Sequence, residues 1–227
     1  MTRQTNARIA GFTFLLYIAT ALPAAILFRT AASGAGIAAK LANIARHTAD
    51  VRVAAVLSLL TFVEAVVLGV TLYGITRDED NELAVLALSC RVAEGVINAL
   101  SPVMLMGLLW LATNSADPAP ADPAVANALG ALLLKVEMWQ TITSASCFAV
   151  GSTVFAYLFL RARTIPAWLA WVGLIGSALL VLCLPLQLAG FIGGPFTNAM
   201  WLPAAVFEIV LGFWLIIKGV GAARIRP

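Results

Sequence analysis

An arginine and a glutamate stand three positions apart inside the otherwise apolar run SCRVAEGVIN, residues 89–98, and two more polar residues continue the series: Arg91, Glu94, Asn98 and Ser101. Steps of three, four and three keep all of them on one face of a helix, and that face should point inward. Two further carboxylates, Glu64 and Glu208, each fall near the centre of an apolar segment of their own, and Gln187 adds an uncharged polar group to another. On membrane-insertion scales a charge at a helix centre costs roughly 2.5 to 3.5 kcal/mol, so four independent ones would cost on the order of 10 to 14 kcal/mol. Such a load calls for mutual compensation, with Arg91 taking a carboxylate through its planar fork of donors while Glu94 supports its other nitrogens. One arginine does not serve three glutamates. At least one of Glu64, Glu94 and Glu208 must therefore take a proton, meet water or reach Lys135, since an isolated charged carboxylate is unstable in an apolar interior. Ionisable groups at membrane depth usually line a pathway, a relay or a binding site, and otherwise fix the register of neighbouring helices.

A second polar group opens a later segment: Lys135, Glu137 and Gln140, with Trp139 between them. Lys135 and Glu137 are two apart and do not share a helix face, whereas Glu137 and Gln140 do. The plain reading is an interfacial helix end with a snorkelling lysine. The sharper one makes them the outer rim of a pocket built from Glu64, Arg91, Glu94, Asn98 and Glu208.

Other chemistries find little support in the residues. The single histidine, His47, has only Asp50 at a useful spacing, which excludes haem held by paired histidines and the HExxH zinc arrangement. Cys90, Cys147 and Cys183 lie far apart in apolar segments and read as small packing residues, so neither a metal nor another cofactor is expected. Ser89, Ser101, Ser144 and Ser146 lie outside any GxSxG pattern, and no P-loop or GxGxxG is present. Basic residues are not interleaved with exposed aromatics, so nucleic acid is not an expected partner.

The elements that must carry the charged face follow from composition. The chain is 62% hydrophobic and 11% charged, with a mean hydropathy of +0.97 over 227 residues. A bilayer solvates that much apolar surface; water does not. Six apolar spans are read at about 9–28, 53–76, 83–112, 125–160, 167–189 and 201–219. They form one integral membrane domain over 1–227, an all-α helix bundle. The first span is longer than the apolar core of a secretory leader and reads as a membrane helix. Between the first two spans, Leu41, Ile44 and Ala45 lie opposite Lys40, Arg46 and Asp50, the pattern of a short amphipathic helix at the interface. The loop TNSADPAPADPA carries prolines 118, 120 and 123, with Asp117 or Asp122 available as a helix cap.

Lys and Arg accumulate on cytoplasmic loops. With both termini inside, the inner segments hold Arg3, Arg8, Arg77, Arg161, Arg163, Lys218, Arg224 and Arg226, against Arg29, Lys40, Arg46 and Arg52 outside. Trp and Tyr near the predicted span ends agree with this layout. Small residues such as Gly69, Gly95, Gly107 and Gly212 suit packing within a chain or between chains, so they set no oligomeric state.

The stretches RIAGFTFLLYIAT, RVAEGVINAL, YLFLRARTIPAWLAWVGLIG and FEIVLGFWLIIKGV, in that order, resemble the domain of unknown function 4386 family of bacterial membrane proteins. The resemblance runs from Arg8 to about Val220. It implies six membrane helices, an inner-membrane location, and Arg91, Glu94 and Glu208 at family motif positions, and it implies no activity, cofactor or substrate. The residues themselves favour a bundle that binds or translocates a small molecule or lipid. An intramembrane enzyme using paired glutamates on a lipid-soluble substrate, and a structural or accessory subunit, stand as the alternatives, and a non-enzyme is favoured over an enzyme.

Overall fold

The computed structural model describes residues 1–114 and 122–221. Its helices are α1 (Arg3–Ala31), α2 (Ile37–Arg46), α3 (Thr48–Thr76), α4 (Asn81–Asn98), α5 (Ser101–Asn114), α6 (Pro123–Ala162), α7 (Ala167–Leu188), α8 (Phe196–Ala199) and α9 (Leu202–Ile217). Among the described residues there is no strand. Among the described residues six stretches are long and apolar enough to cross a bilayer: α1, α3, α4 with α5, α6, α7, and α8 with α9. The chain is a multi-pass, all-α membrane protein in contact with lipid.

Local chemistry explains several boundaries. Asp122 accepts the backbone N–H of Ala124 at 2.9 Å, capping α6 with Pro123 at its first position, where the missing N–H costs nothing. Asp117, Pro118 and Pro120 of the preceding loop lie outside the described residues. Asp80 caps α4 in the same way, accepting the Leu83 N–H at 3.2 Å.

The third span departs from the single long helix expected over 83–112. It breaks between α4 and α5 because Pro102 has no N–H and its ring crowds the carbonyl four residues back, that of Asn98. The Ile97 carbonyl left at the break accepts the Leu100 N–H at 3.1 Å and the Gln140 side-chain amide at 2.8 Å.

The described residues divide into two compact units. The first comprises residues 1–18, 63–95 and those from 142 onward. Its main core joins Ala7, Phe14, Leu68, Leu72, Phe155, Phe159 and Leu211, and a second cluster centres on Phe148, Leu180, Leu184 and Met200. Backbones approach closely here: a Cβ on Gly11 of α1 would stand 2.6 Å from the Gly212 carbonyl oxygen of α9, and one on Gly176 of α7 would stand 3.0 Å from the Ala204 nitrogen. α9, which carries Glu208, is thus seated between α1 and α7 by missing side chains. Polar contacts gather the unit's chain ends. The Arg3 guanidinium donates to the Ile75 carbonyl at 2.9 Å, and Arg161 pairs with Glu79 and Asp80, each at 2.9 Å. The Val220 N–H donates to Gln4 at 3.2 Å, and that of Gly221 to the Thr164 carbonyl at 3.0 Å.

The second unit comprises residues 19–62 and 96–141. The expected amphipathic helix is α2, which lies against α5 and buries Leu41 and Ile44 with Val51, Leu105 and Leu108. Asn43 donates to the Thr30 carbonyl at 3.0 Å, pinning α2 to the end of α1.

Candidate functional site

Arg91 and Glu94 are each 1% exposed, the most deeply buried charges of the first unit. The helical spacing that put them on one inward face therefore holds within α4. The Arg91 Nη1 stands 2.9 Å from Glu94 Oε2. The contact is an ion pair without hydrogen-bond alignment, and the Arg91 Nε and Nη2 atoms meet no acceptor among the described residues.

Neighbouring helices complete the setting. The Tyr17 hydroxyl of α1 donates to Glu94 Oε1 at 2.9 Å, so both carboxylate oxygens are engaged. The guanidinium carbon of Arg91 lies 5.8 Å from the centre of the Tyr17 ring and 5.1 Å from that of Phe148 on α6. Ring faces attract a desolvated cation by about 0.5 to 2 kcal/mol each, which offsets part of its burial. Two glycines let α4 come close enough for this. A Cβ on Gly69 of α3 would stand 3.0 Å from the Arg91 Cβ, and one on Gly151 of α6 would stand 3.2 Å from the Ala87 carbonyl oxygen. Ser144 of α6 donates to the Glu94 carbonyl at 3.1 Å.

Glu208 is buried on α9 and lies within electrostatic reach of both Arg91 and Glu94. Among the described residues it makes no ion pair with Arg91. Glu64 is buried on α3 in the same unit. The tertiary structure thus brings together Arg91, Glu94 and Glu208 of the residues singled out from the sequence, and adds Tyr17 and Phe148. Tyr17 had a readable signal, a hydroxyl in mid-span where it needs a partner. Phe148 had none, because its contribution is a ring face aimed at a cation.

The remaining pocket and rim candidates, Asn98, Lys135, Glu137 and Gln140, sit in the second unit. Asn98, half-buried, ends α4 at the break, and Ser101 begins α5 beyond it, so the straight stripe stops there. Lys135 is exposed on α6, and Glu137 accepts a hydrogen bond from Thr141 at 3.3 Å. Gln140 is occupied with the Ile97 carbonyl, a local structural task. Two of the other serine hydroxyls bond back to their own helices, Ser89 to Val85 and Ser146 to Ile142, each at 2.9 Å. His47 meets Asp50 at 2.8 Å near the surface. No three His, Cys, Asp or Glu side chains gather as metal ligands would among the described residues.

A family model described as a domain of unknown function, DUF4386, matches residues 9–219. The chain belongs to this family. The match covers all six apolar spans of this DUF4386 protein and every residue of the Arg91 cluster. Comparisons with curated proteins and with solved structures returned no match.

Proposed function

We propose that this DUF4386 protein binds or translocates a small molecule or lipid at the cluster formed by Arg91, Glu94 and Glu208, with Glu64 contributing from α3. One observation carries the reading: among the described residues, buried Arg91 has a single ion pair, and its Nε and Nη2 donors are unmatched. A buried charged donor left unmatched costs more than its net worth when matched, so a group kept in this state points to a partner that comes and goes. Glu94, held from both sides, orients the guanidinium. Glu208, near both charges and paired with neither among the described residues, is the carboxylate available to carry a proton.

The test is solute-driven pH change inside proteoliposomes, using a panel of small organic acids, amines and neutral solutes. At least one solute class should move protons with the wild-type chain and fail to do so with Glu208→Gln. A panel that moves none and stabilises none of the protein overturns the reading. The bond from Tyr17 to Glu94 and the ring contacts of Arg91 favour a second role, holding α1 and α6 against α4 as a structural or accessory subunit would. In that case replacing Arg91 and Glu94 together by apolar residues preserves cellular function. Acid–base catalysis on a lipid-soluble substrate has less support, since both Glu94 oxygens are already engaged.

We also place the protein in a bacterial inner membrane with both termini cytoplasmic. The excess of Lys and Arg in the inner segments supports that orientation. The hydrogen bonds from Arg3 to the Ile75 carbonyl and from Gly221 to the Thr164 carbonyl keep residues near both ends beside segments that this layout puts on the inner side.

A further inference from the structure

The donor atoms that Arg91 leaves unmatched are not arbitrary. A guanidinium offers its N–H groups along edges, and the edge made by Nε and Nη2 presents two parallel donors spaced for the two oxygens of one planar anion. In this protein Nη1 is the nitrogen spent on Glu94, and Nε and Nη2 are the pair without an acceptor among the described residues. The guanidinium carbon lies over the rings of Tyr17 and Phe148, 5.8 and 5.1 Å from their centres. The Nε and Nη2 edge, with no acceptor among the described residues, is the side that offers strong, directional hydrogen bonding.

Charge narrows the ligand further. Arg91 and Glu94 already balance one another, and Glu208 lies nearby as a third ionisable group. An incoming monoanion adds one charge to a buried site, whereas a phosphate dianion adds two and pays a far larger desolvation cost. A neutral carbonyl avoids that cost but forms the weaker, uncharged kind of hydrogen bond.

We propose, building on the binding reading above, that the Nε and Nη2 edge of Arg91 receives the carboxylate of a monocarboxylic acid, bound through both oxygens. The acid reaches the site either from the lipid, as a fatty acid, or from water, as a short-chain acid.

The full-length protein in lipid nanodiscs, labelled with ¹⁵N-arginine, is titrated with oleate, with butyrate, and with the alcohols of the same chain lengths. The Arg91 Nε–H resonance is assigned by its loss in Arg91→Lys and, independently, by its slow exchange with deuterated water. A carboxylate should shift that resonance saturably, and the matching alcohol should bind about 100-fold more weakly, having lost two charge-assisted hydrogen bonds. A response to oleate alone assigns the lipid source, and a response to butyrate assigns the aqueous one. An Arg91 resonance that no carboxylate moves overturns the proposal. If amines or neutral solutes then still stabilise the protein, the binding reading stands and only the carboxylate assignment falls; if no probe of any class is bound, both fall.

Discussion

Removing Arg91 and Glu94 one at a time and then together measures what the buried pair contributes. Arg91→Met leaves the Glu94 carboxylate buried with the Tyr17 hydroxyl as its hydrogen-bond partner, and Glu94→Leu leaves a buried guanidinium beside two rings and without an ion pair among the described residues. Breaking a buried pair by removing one partner costs about 3 to 5 kcal/mol, so the two single substitutions sum to about 6 to 10 kcal/mol. The double substitution leaves neither charge of the pair behind. It loses the two ring contacts and the hydrogen bond from Tyr17 to Glu94, together about 1 to 3 kcal/mol if the apolar side chains pack as well as the pair did. The coupling energy is the difference, at least about 3 kcal/mol, and the double variant is more stable than either single one. Equilibrium unfolding in mixed micelles, followed by tryptophan fluorescence, gives all four free energies. Single effects that add to within about 0.5 kcal/mol would show that the two charges do not depend on each other, and would refute the reasoning.

Other consequences are simpler to check. Gly11→Ala drives a methyl group into the Gly212 carbonyl oxygen and should cost about 1 to 3 kcal/mol, whereas Gly107→Ala, whose nearest neighbour would be Leu133 at 3.9 Å, should be tolerated; thermal unfolding of the two variants in detergent separates them. Gln140→Leu removes the donor to the Ile97 carbonyl at the break in the third span and should cost about 1 kcal/mol, read as faster hydrogen exchange confined to residues around 97–101. The Asp80 carboxyl titrates below the usual aspartate range because the Leu83 N–H, and after it the Arg161 guanidinium, favour its charged form. Its contribution to stability is therefore complete above about pH 4, the ordinary aspartate value, and fades only as the pH falls through the lowered native one. Carboxyl NMR of labelled aspartate should find its midpoint below about 3.9, and a midpoint at or above that value would remove the cap and the ion pair from the account.

Much of the architecture was legible because a membrane imposes length and hydropathy on each span separately. The stretch from Ala167 to Leu188 needs no knowledge of its neighbours to be read as a helix that crosses. The same holds for α2, whose alternation of Leu41 and Ile44 with Lys40 and Arg46 declares one apolar face. The break at Asn98 was written in Pro102 but masked by the apolar run around it, since proline is common in membrane helices and breaks one only where the freed carbonyls find partners. That partner, Gln140, lies on another helix. Spacing likewise says that Glu137 and Gln140 share a face, not what that face meets.

The sequence alone determined that the chain is a multi-pass helical membrane protein and that Arg91 and Glu94 share an inward face, because hydropathy and helical periodicity are properties of one segment at a time. Only the tertiary structure decided how those charges are spent. It selected Glu94 over Glu208 as the ion-pair partner of Arg91, brought the Tyr17 hydroxyl to the free carboxylate oxygen, and set the Tyr17 and Phe148 rings near the guanidinium. Those outcomes depend on how closely α1, α3 and α6 approach α4. Residues as inconspicuous as Gly69 and Gly151 control that approach, and their effect is expressed only when two backbones meet.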